Sequence, residues 1–234
     1  MRRWGPAAVL LLLSAFVAPA ARAQVAFSAA IESDDRLRGV SLTDGQPIAS
    51  VSVSLDRPSG FFGGVTAKAV ATSHSGLRPE GYVAYLGYAR TLAPSLSWDL
   101  GVTNSEVLVY RERRYTANYT ELRTGVSLKN VAAHIYYSPR YLNDAPTLYV
   151  DLAGALHPVR NWRLFGHLGL LTGLSEVGHY EGERVRLDLR AGIAREFGRG
   201  EIRAEWIAAT PAPYFPPYTR QHRNALVLGA TYFF

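Results

Sequence analysis

The chain has 234 residues, enough for one large β domain or two small ones. With 21 Gly, 13 Pro and no Cys, it excludes a disulfide framework and a thiolate metal site. The formal charge of +6 is partly terminal: without Arg2, Arg3 and Arg22 the 25 basic residues fall to 22 against 19 acids, leaving +3. That excess does not read as nucleic-acid binding.

Residues 1–23 predict a cleaved signal peptide. Arg2 and Arg3 precede an apolar run over 7–17, and Ala21-Arg22-Ala23 offers a cleavage site before Gln24. The run is too short for a spanning helix, and nothing later reaches the ~18 apolar residues that one needs. The expected product is exported in a Gram-negative bacterium, with residues 24–234 as its single folded unit.

From Gln24 onward the apolar residues recur with a period of two, which belongs to strands. The pattern predicts about twelve of them, at 25–42, 46–56, 61–72, 82–92, 95–104, 119–129, 131–140, 146–156, 161–173, 183–197, 200–210 and 223–234. Each is near the ~9–11 residues that cross an outer membrane at a tilt. The connections alternate long and short. With the mature N-terminus in the periplasm, short turns fall on that side and long loops outside.

The first hairpin carries Ser33-Asp34-Asp35-Arg36-Leu37-Arg38-Gly39-Val40-Ser41, then Thr43-Asp44-Gly45-Gln46-Pro47. A three-residue Thr43-Asp44-Gly45 loop puts Gly in the left-handed position. It sets Arg38, Arg36 and Asp34 opposite Ser50, Ser52 and Ser54. In that register Glu32, Asp34, Arg36 and Arg38 face inward, and Ile31, Leu37 and Gly39 face outward.

Farther along, Leu96, Trp98, Leu100 and Val102 alternate with Ser97, Asp99, Gly101 and Thr103. Leu122, Val126 and Leu128 oppose Glu121, Arg123, Ser127 and Lys129. Leu148, Val150, Leu152 and Leu156 share a face, with Asp151 opposite. Trp162, Leu164, Leu168 and Leu170 oppose Arg163 and His167, although Phe165 and Leu171 blur that strand. Over 183–210, Val185, Leu187, Leu189, Ala191 and Ile193 alternate with Arg184, Arg186, Asp188 and Arg190. A two-residue Gly198-Arg199 turn of type II′ then pairs Ile193 with Ala204 and Ala191 with Trp206. Charges of both signs on one face and lipophilic side chains on the other fit a barrel in lipid, apolar outside and charged within. A soluble barrel with that many inward charges would carry a large desolvation cost.

The chain ends on Leu226, Leu228, Ala230, Tyr232 and Phe234, one face of a final strand. Gly229, the aromatics and the terminal Phe234 resemble the signal read by barrel-assembly machinery, with Val227 where a polar residue is usual. The opening segment resembles that of TorF-type porins, a proteobacterial outer-membrane family of uncharacterised function. Ser33, Asp34, Arg36, Arg38, Gly39, Val40, Ser41, Asp44, Gly45 and Pro47 carry the likeness. Tyr136-Tyr137-Ser138-Pro139-Arg140-Tyr141 is similar to the family's Tyr-Ser-Pro segment, with Arg140 where an acid is more usual. The resemblance implies an outer-membrane β-barrel with pore function and no assigned catalytic residue.

The six histidines show no metal-ligand spacing, and solvated lumen positions suit His134 and His167 better than a metal site. The close Ser/His groupings, Ser73-His74-Ser75 and His134 with Ser138, lack nucleophile-elbow glycines. No cofactor and no enzyme chemistry is expected. The expected fold is an all-β transmembrane barrel, antiparallel and up-and-down, in contact with outer-membrane lipid. Its expected work is passive diffusion of small polar or charged solutes. The candidate lumen residues are Glu32, Asp34, Arg36, Arg38, Asp99, Glu121, Arg123, Asp151, Arg163, Arg184, Arg186, Asp188, Arg190, Arg203 and Glu205. Mixed charge implies a weak anion preference, with Arg184, Arg186 and Arg190 as a positive wall. The alternatives are a non-transport anchor or surface-binding barrel and, third, a lipid-modifying barrel enzyme.

Overall fold

A computed structural model describes residues 24–72, 76–109, 115–143, 145–175, 184–211 and 224–234. The segment expected to be a signal peptide, 1–23, lies outside them, as does the Ser73-His74-Ser75 grouping. The strands are β1 (Gln24–Glu32), β2 (Arg36–Leu37), β3 (Val40–Ser41), β4 (Ile48–Asp56), β5 (Phe61–Thr72), β6 (Gly76–Ala93) and β7 (Leu96–Val109). They continue with β8 (Tyr115–Leu128), β9 (Val131–Ser138), β10 (Thr147–Val159), β11 (Trp162–Gly173), β12 (Val185–Phe197), β13 (Gly200–Ala209) and β14 (Asn224–Phe233). Twelve of these close an antiparallel barrel in which sequence neighbours pair and β14 returns to β1. β2 and β3 form a separate two-stranded piece.

Register and pleat turn the sequence pattern into two faces. On β12, Leu187 is 42% exposed to the outside while its neighbour Arg186 is 2% exposed within. The Gly198 turn, at φ +58°, pairs Ile193 with Ala204 and Ala191 with Trp206, the register read from the sequence. Closure runs from Ser28 opposite Phe233 to Glu32 opposite Gly229. Outward residues such as Leu152, Leu168 and Leu189 lie side by side across β10, β11 and β12. In water such an apolar girdle would be unstable, whereas in a bilayer it is the buried face. No described helix is long and apolar enough to cross a membrane; the strands do so.

Three expectations are corrected. The strand expected over 25–42 ends at Glu32, where Glu32 pairs with Ile48; Ser50 and Ser52 face Ala30 and Ser28 instead of Arg38 and Arg36. Residues 33–47 leave the ladder and fold into the barrel, so Leu37 and Gly39 lie inside and not on the outer face. The loops expected over 73–81 and 104–118 are largely strand, because β6, β7 and β8 run on past the apolar band. There the outward residues Tyr82, Asn104 and Thr120 are polar and hydrogen-bonded to one another, so hydropathy stops marking the strand before pairing does.

The packed core therefore sits inside the long-loop half of the barrel. Leu42 from the folded-in segment meets Val107, Ala117, Tyr119, Tyr149 and Leu171 from the wall, with Tyr141 and Leu142 from the short 3-10 turn Tyr141–Asn143. The inward Leu171, which blurs the pattern of its strand, serves this core.

Candidate functional site

The segment 33–47 is tied together by one carboxylate. Asp34 Oδ1 accepts from Ser41 Oγ at 2.5 Å, Thr43 Oγ1 at 2.9 Å and the Gly45 amide at 3.3 Å; Oδ2 accepts from Arg36 Nε at 2.7 Å. Arg36 also donates through Nη1 to the Gly39 carbonyl at 2.8 Å. Small polar residues close to an Asp do this readily, since they replace ladder partners with local ones. Arg38 and Gly39 both have positive φ, +49° and +80°, which makes the β2–β3 tip a two-residue type I′ turn. Gly45 is left-handed at φ +76°, as the turn reading requires, but it serves the folded-in loop and not a β1–β4 hairpin.

The tip is docked on the wall by charge and shape. Arg38 Nη2 reaches Glu121 Oε1 at 2.5 Å, and its guanidinium lies 4.0 Å from the Tyr149 ring centre and 4.6 Å from that of Tyr141. Burial pushes the Tyr141 phenol above its ordinary range, with Arg38 and Arg186 pulling the other way, so the ring stays neutral. Asp35 receives Lys68 Nζ at 2.7 Å, and Glu80, 1% exposed, lies beside that pair. A Cβ on Gly39 would stand 2.6 Å from the Ala209 Cβ and 3.1 Å from that of Asp188, so only glycine lets the tip seat there.

Beyond this loop the inner wall divides into two. On β7 to β13 it is ionic and aromatic. Asp99 holds His134 at 3.0 Å and Arg123 at 3.4 Å, and His134 Nδ1 lies 3.5 Å from Asp151, which accepts from Tyr136. Tyr149, His167 and Asp188 form a second hydrogen-bonded group, within 2.8–3.2 Å. Arg163 pairs with Glu201 at 2.5 Å, Arg190 with Glu205 at 3.4 Å, and Arg203 bridges Glu205 and Glu32. On β1, β4, β5 and β14 most inner residues at mid-depth are small: Ser28, Ala30, Ser50, Ser52, Ser54, Gly64, Thr66 and Thr231 follow the inward parity, interrupted by Glu32, Phe62 and Lys68. At the short-turn end the lumen widens into a cavity of ≈ 510 Å³ lined by Ser127, Ala132, Ala153, Arg163, Phe165 and Arg190, among others.

Of the residues named from sequence, Glu32, Asp99, Arg123, Asp151, Arg163, Arg190, Arg203 and Glu205 lie on this inner wall. Asp34, Arg36 and Arg38 are inside too, but on the folded-in loop, and Glu121, Arg186 and Asp188 are buried around it. Arg184 lies exposed at the rim of β12, so the three arginines read as one wall occupy three different depths. Asp35 and Glu80 were missed. Asp35 has its parity reversed once the strand ends at Glu32, and Glu80 sits at the Lys68/Ala69 register shift, in a stretch read as loop. The Pro79-Glu80-Gly81 triplet at that irregularity is the signal that could have found it. Among the described residues no group of His, Asp and Glu is arranged to hold a metal ion.

Residues 17–232 match the model of a family described as "Bacterial protein of unknown function (Gcw_chp)". No curated protein matches the chain. Among solved structures, the NanC porin in a rhombohedral crystal form is similar at TM-score 0.56 and 8% identity, covering 89% of this chain and 99% of that one. The KdgM porin is similar at TM-score 0.54 and 11% identity, again over 89% and 99%. A KdgM porin in complex with disordered oligogalacturonate gives 0.54 and 11% over 90% and 99%. At such identities the likeness is one of fold: an outer-membrane porin barrel.

Proposed function

The chain belongs to the Gcw_chp family of bacterial proteins, and we propose that it is an outer-membrane channel for passive diffusion of small polar or charged solutes. The observation that carries this reading is the division of the inner wall, with paired charges on one side and mostly small side chains on the other. Twelve strands give a bore between barrels filled by side chains and wide porins. Segment 33–47 narrows the long-loop half, and the passage follows the small-residue wall. The likeness of that segment to TorF-type porins supports the same function. Residues 1–23 serve as the export signal, and the strand ending in Phe234 as the mark for barrel assembly.

Selectivity by charge is weak. Arg163, Arg190 and Arg203 each face an acid, which leaves a transverse field and not a ring of one sign. A slight anion preference rests on Arg184, exposed at the rim of β12, and Arg184→Gln should lower the anion-to-cation permeability ratio. An acidic oligosaccharide, named for the KdgM porin, is a less favoured solute here because the lumen cations are paired.

One feature favours the anchor reading: the docking of Arg38 and Leu42 against the wall is dense. Planar-bilayer recordings separate the two. A channel gives small unitary steps with a reversal potential near zero in a salt gradient; an anchor gives none, with the loop present or excised.

A further inference from the structure

The outer face carries a charge asymmetry that the lumen does not explain. At the short-turn end, Arg90 and Arg195 lie on the lipid-facing parity, opposite Trp98 and Ile202 respectively, and both are exposed. The Arg195 guanidinium lies 5.3 Å from the Trp162 ring centre. Lys129, Arg160 and Arg199 are exposed in the short turns on the same rim. The acids at this level turn the other way: Asp56 pairs with inward Phe62, and Glu196 with Glu201, which holds Arg163 within. Among the described residues the outer rim is thus basic, without an outward acid to neutralise it.

The rim also lies where the apolar girdle ends, among Phe61, Tyr88, Trp98, Trp162, Phe197 and Tyr232. Aromatic belts of this kind sit at headgroup level, and Arg stems reach from there to phosphates. We infer that this rim is a binding surface for anionic phospholipid headgroups of the periplasmic leaflet, with Arg90 and Arg195 as the lipid-side contacts. A zwitterionic headgroup offers a phosphate but returns a cation to the same rim, so the preference is for a headgroup of net negative charge. Lys129, Arg160 and Arg199 add attraction over the Debye length.

The full chain, refolded into phosphatidylcholine vesicles, can report on this through Trp98 and Trp162, with Trp4 and Trp206 replaced by Phe so that only the two rim tryptophans remain. A trace of brominated phosphatidylglycerol should quench the two indoles more than the same trace of brominated phosphatidylcholine. The relative affinity should fall on the order of fivefold per cation in Arg90→Gln and Arg195→Gln. Arg90→Lys and Arg195→Lys should retain it. Raising the salt should remove the preference from the wild-type chain, a measurement that holds even if the Gln variants fold poorly. Equal quenching by the two lipids at low salt overturns the inference, as does a preference that survives the double Gln change or high salt.

Discussion

Asp34 controls the most consequential departure from a plain barrel. Its two oxygens satisfy three hydroxyl or amide donors and one guanidinium within the segment 33–47, a pattern that the β1 ladder cannot offer. Asp34→Ala should therefore loosen the loop without unfolding the barrel, seen as faster proteolysis between residues 33 and 47 with the heat-modifiable band intact. Proteolysis at the wild-type rate would show that the loop is held by its wall contacts alone. Arg38 is the principal wall contact, with side-chain exposures of 6% for itself and 8% for Glu121. Arg38→Met leaves a buried, unpaired carboxylate, and breaking buried pairs typically costs about 3–5 kcal/mol. Equilibrium unfolding in urea should register a loss of that order, with partial recovery on adding Glu121→Gln. No recovery in the double variant would mean that the stacking on Tyr141 and Tyr149, and not the charge, holds the tip. Gly39→Val meets both the Ala209 Cβ and an unfavourable φ, so it should undock the loop and raise channel conductance.

At the scale of the strand, the outward stripe makes a sharper demand. Leu189, near the middle of β12, lies beside Leu168 and then Leu152, all facing lipid. Leu189→Arg should cost about 2–4 kcal/mol of barrel stability, as cations at the bilayer midplane do. Arg190→Leu, its inward neighbour, leaves Glu205 still paired with Arg203 and should cost less, and equal loss of the folded band in both variants would reverse the assigned faces. The two faces were readable in the sequence because a strand's period is two and each residue had only two choices. The inward set from Asp99 to Glu205 followed from that period, and the β12–β13 register from the Gly198 turn added to it. Where strands ended was less legible. Glu32, Asp34, Arg36 and Arg38 share one parity and invite a strand reading although Ser33 and Asp35 break the apolar face, and the competition of Asp34 for local donors removes the segment from the ladder. Past the apolar band, Asn104, Glu106 and Asn118 look like loop residues although they are paired, because a strand above the bilayer has no apolar face to display. Glu80 was hidden for the same reason; Leu171 looked like an exception until the inner core gave it partners, and Phe165 until the Arg163 guanidinium was found 5.0 Å from its ring centre.

For the whole molecule, the barrel and its inserted loop form one device: a girdle that fixes it in lipid, a lumen of paired charges beside a wall of mostly small residues, and a segment that narrows one end. In the proposed channel, solutes pass along the small inner residues, and the loop that occupies much of the remaining bore keeps conductance low. Unitary conductance in planar bilayers, comparing the wild-type chain with one whose residues 36–43 are replaced by a short glycine–serine link, tests this directly. Small resolvable steps in the wild type and several-fold larger ones in the excised chain are the predicted result. Silence from both folded proteins, or identical steps from both, would contradict it.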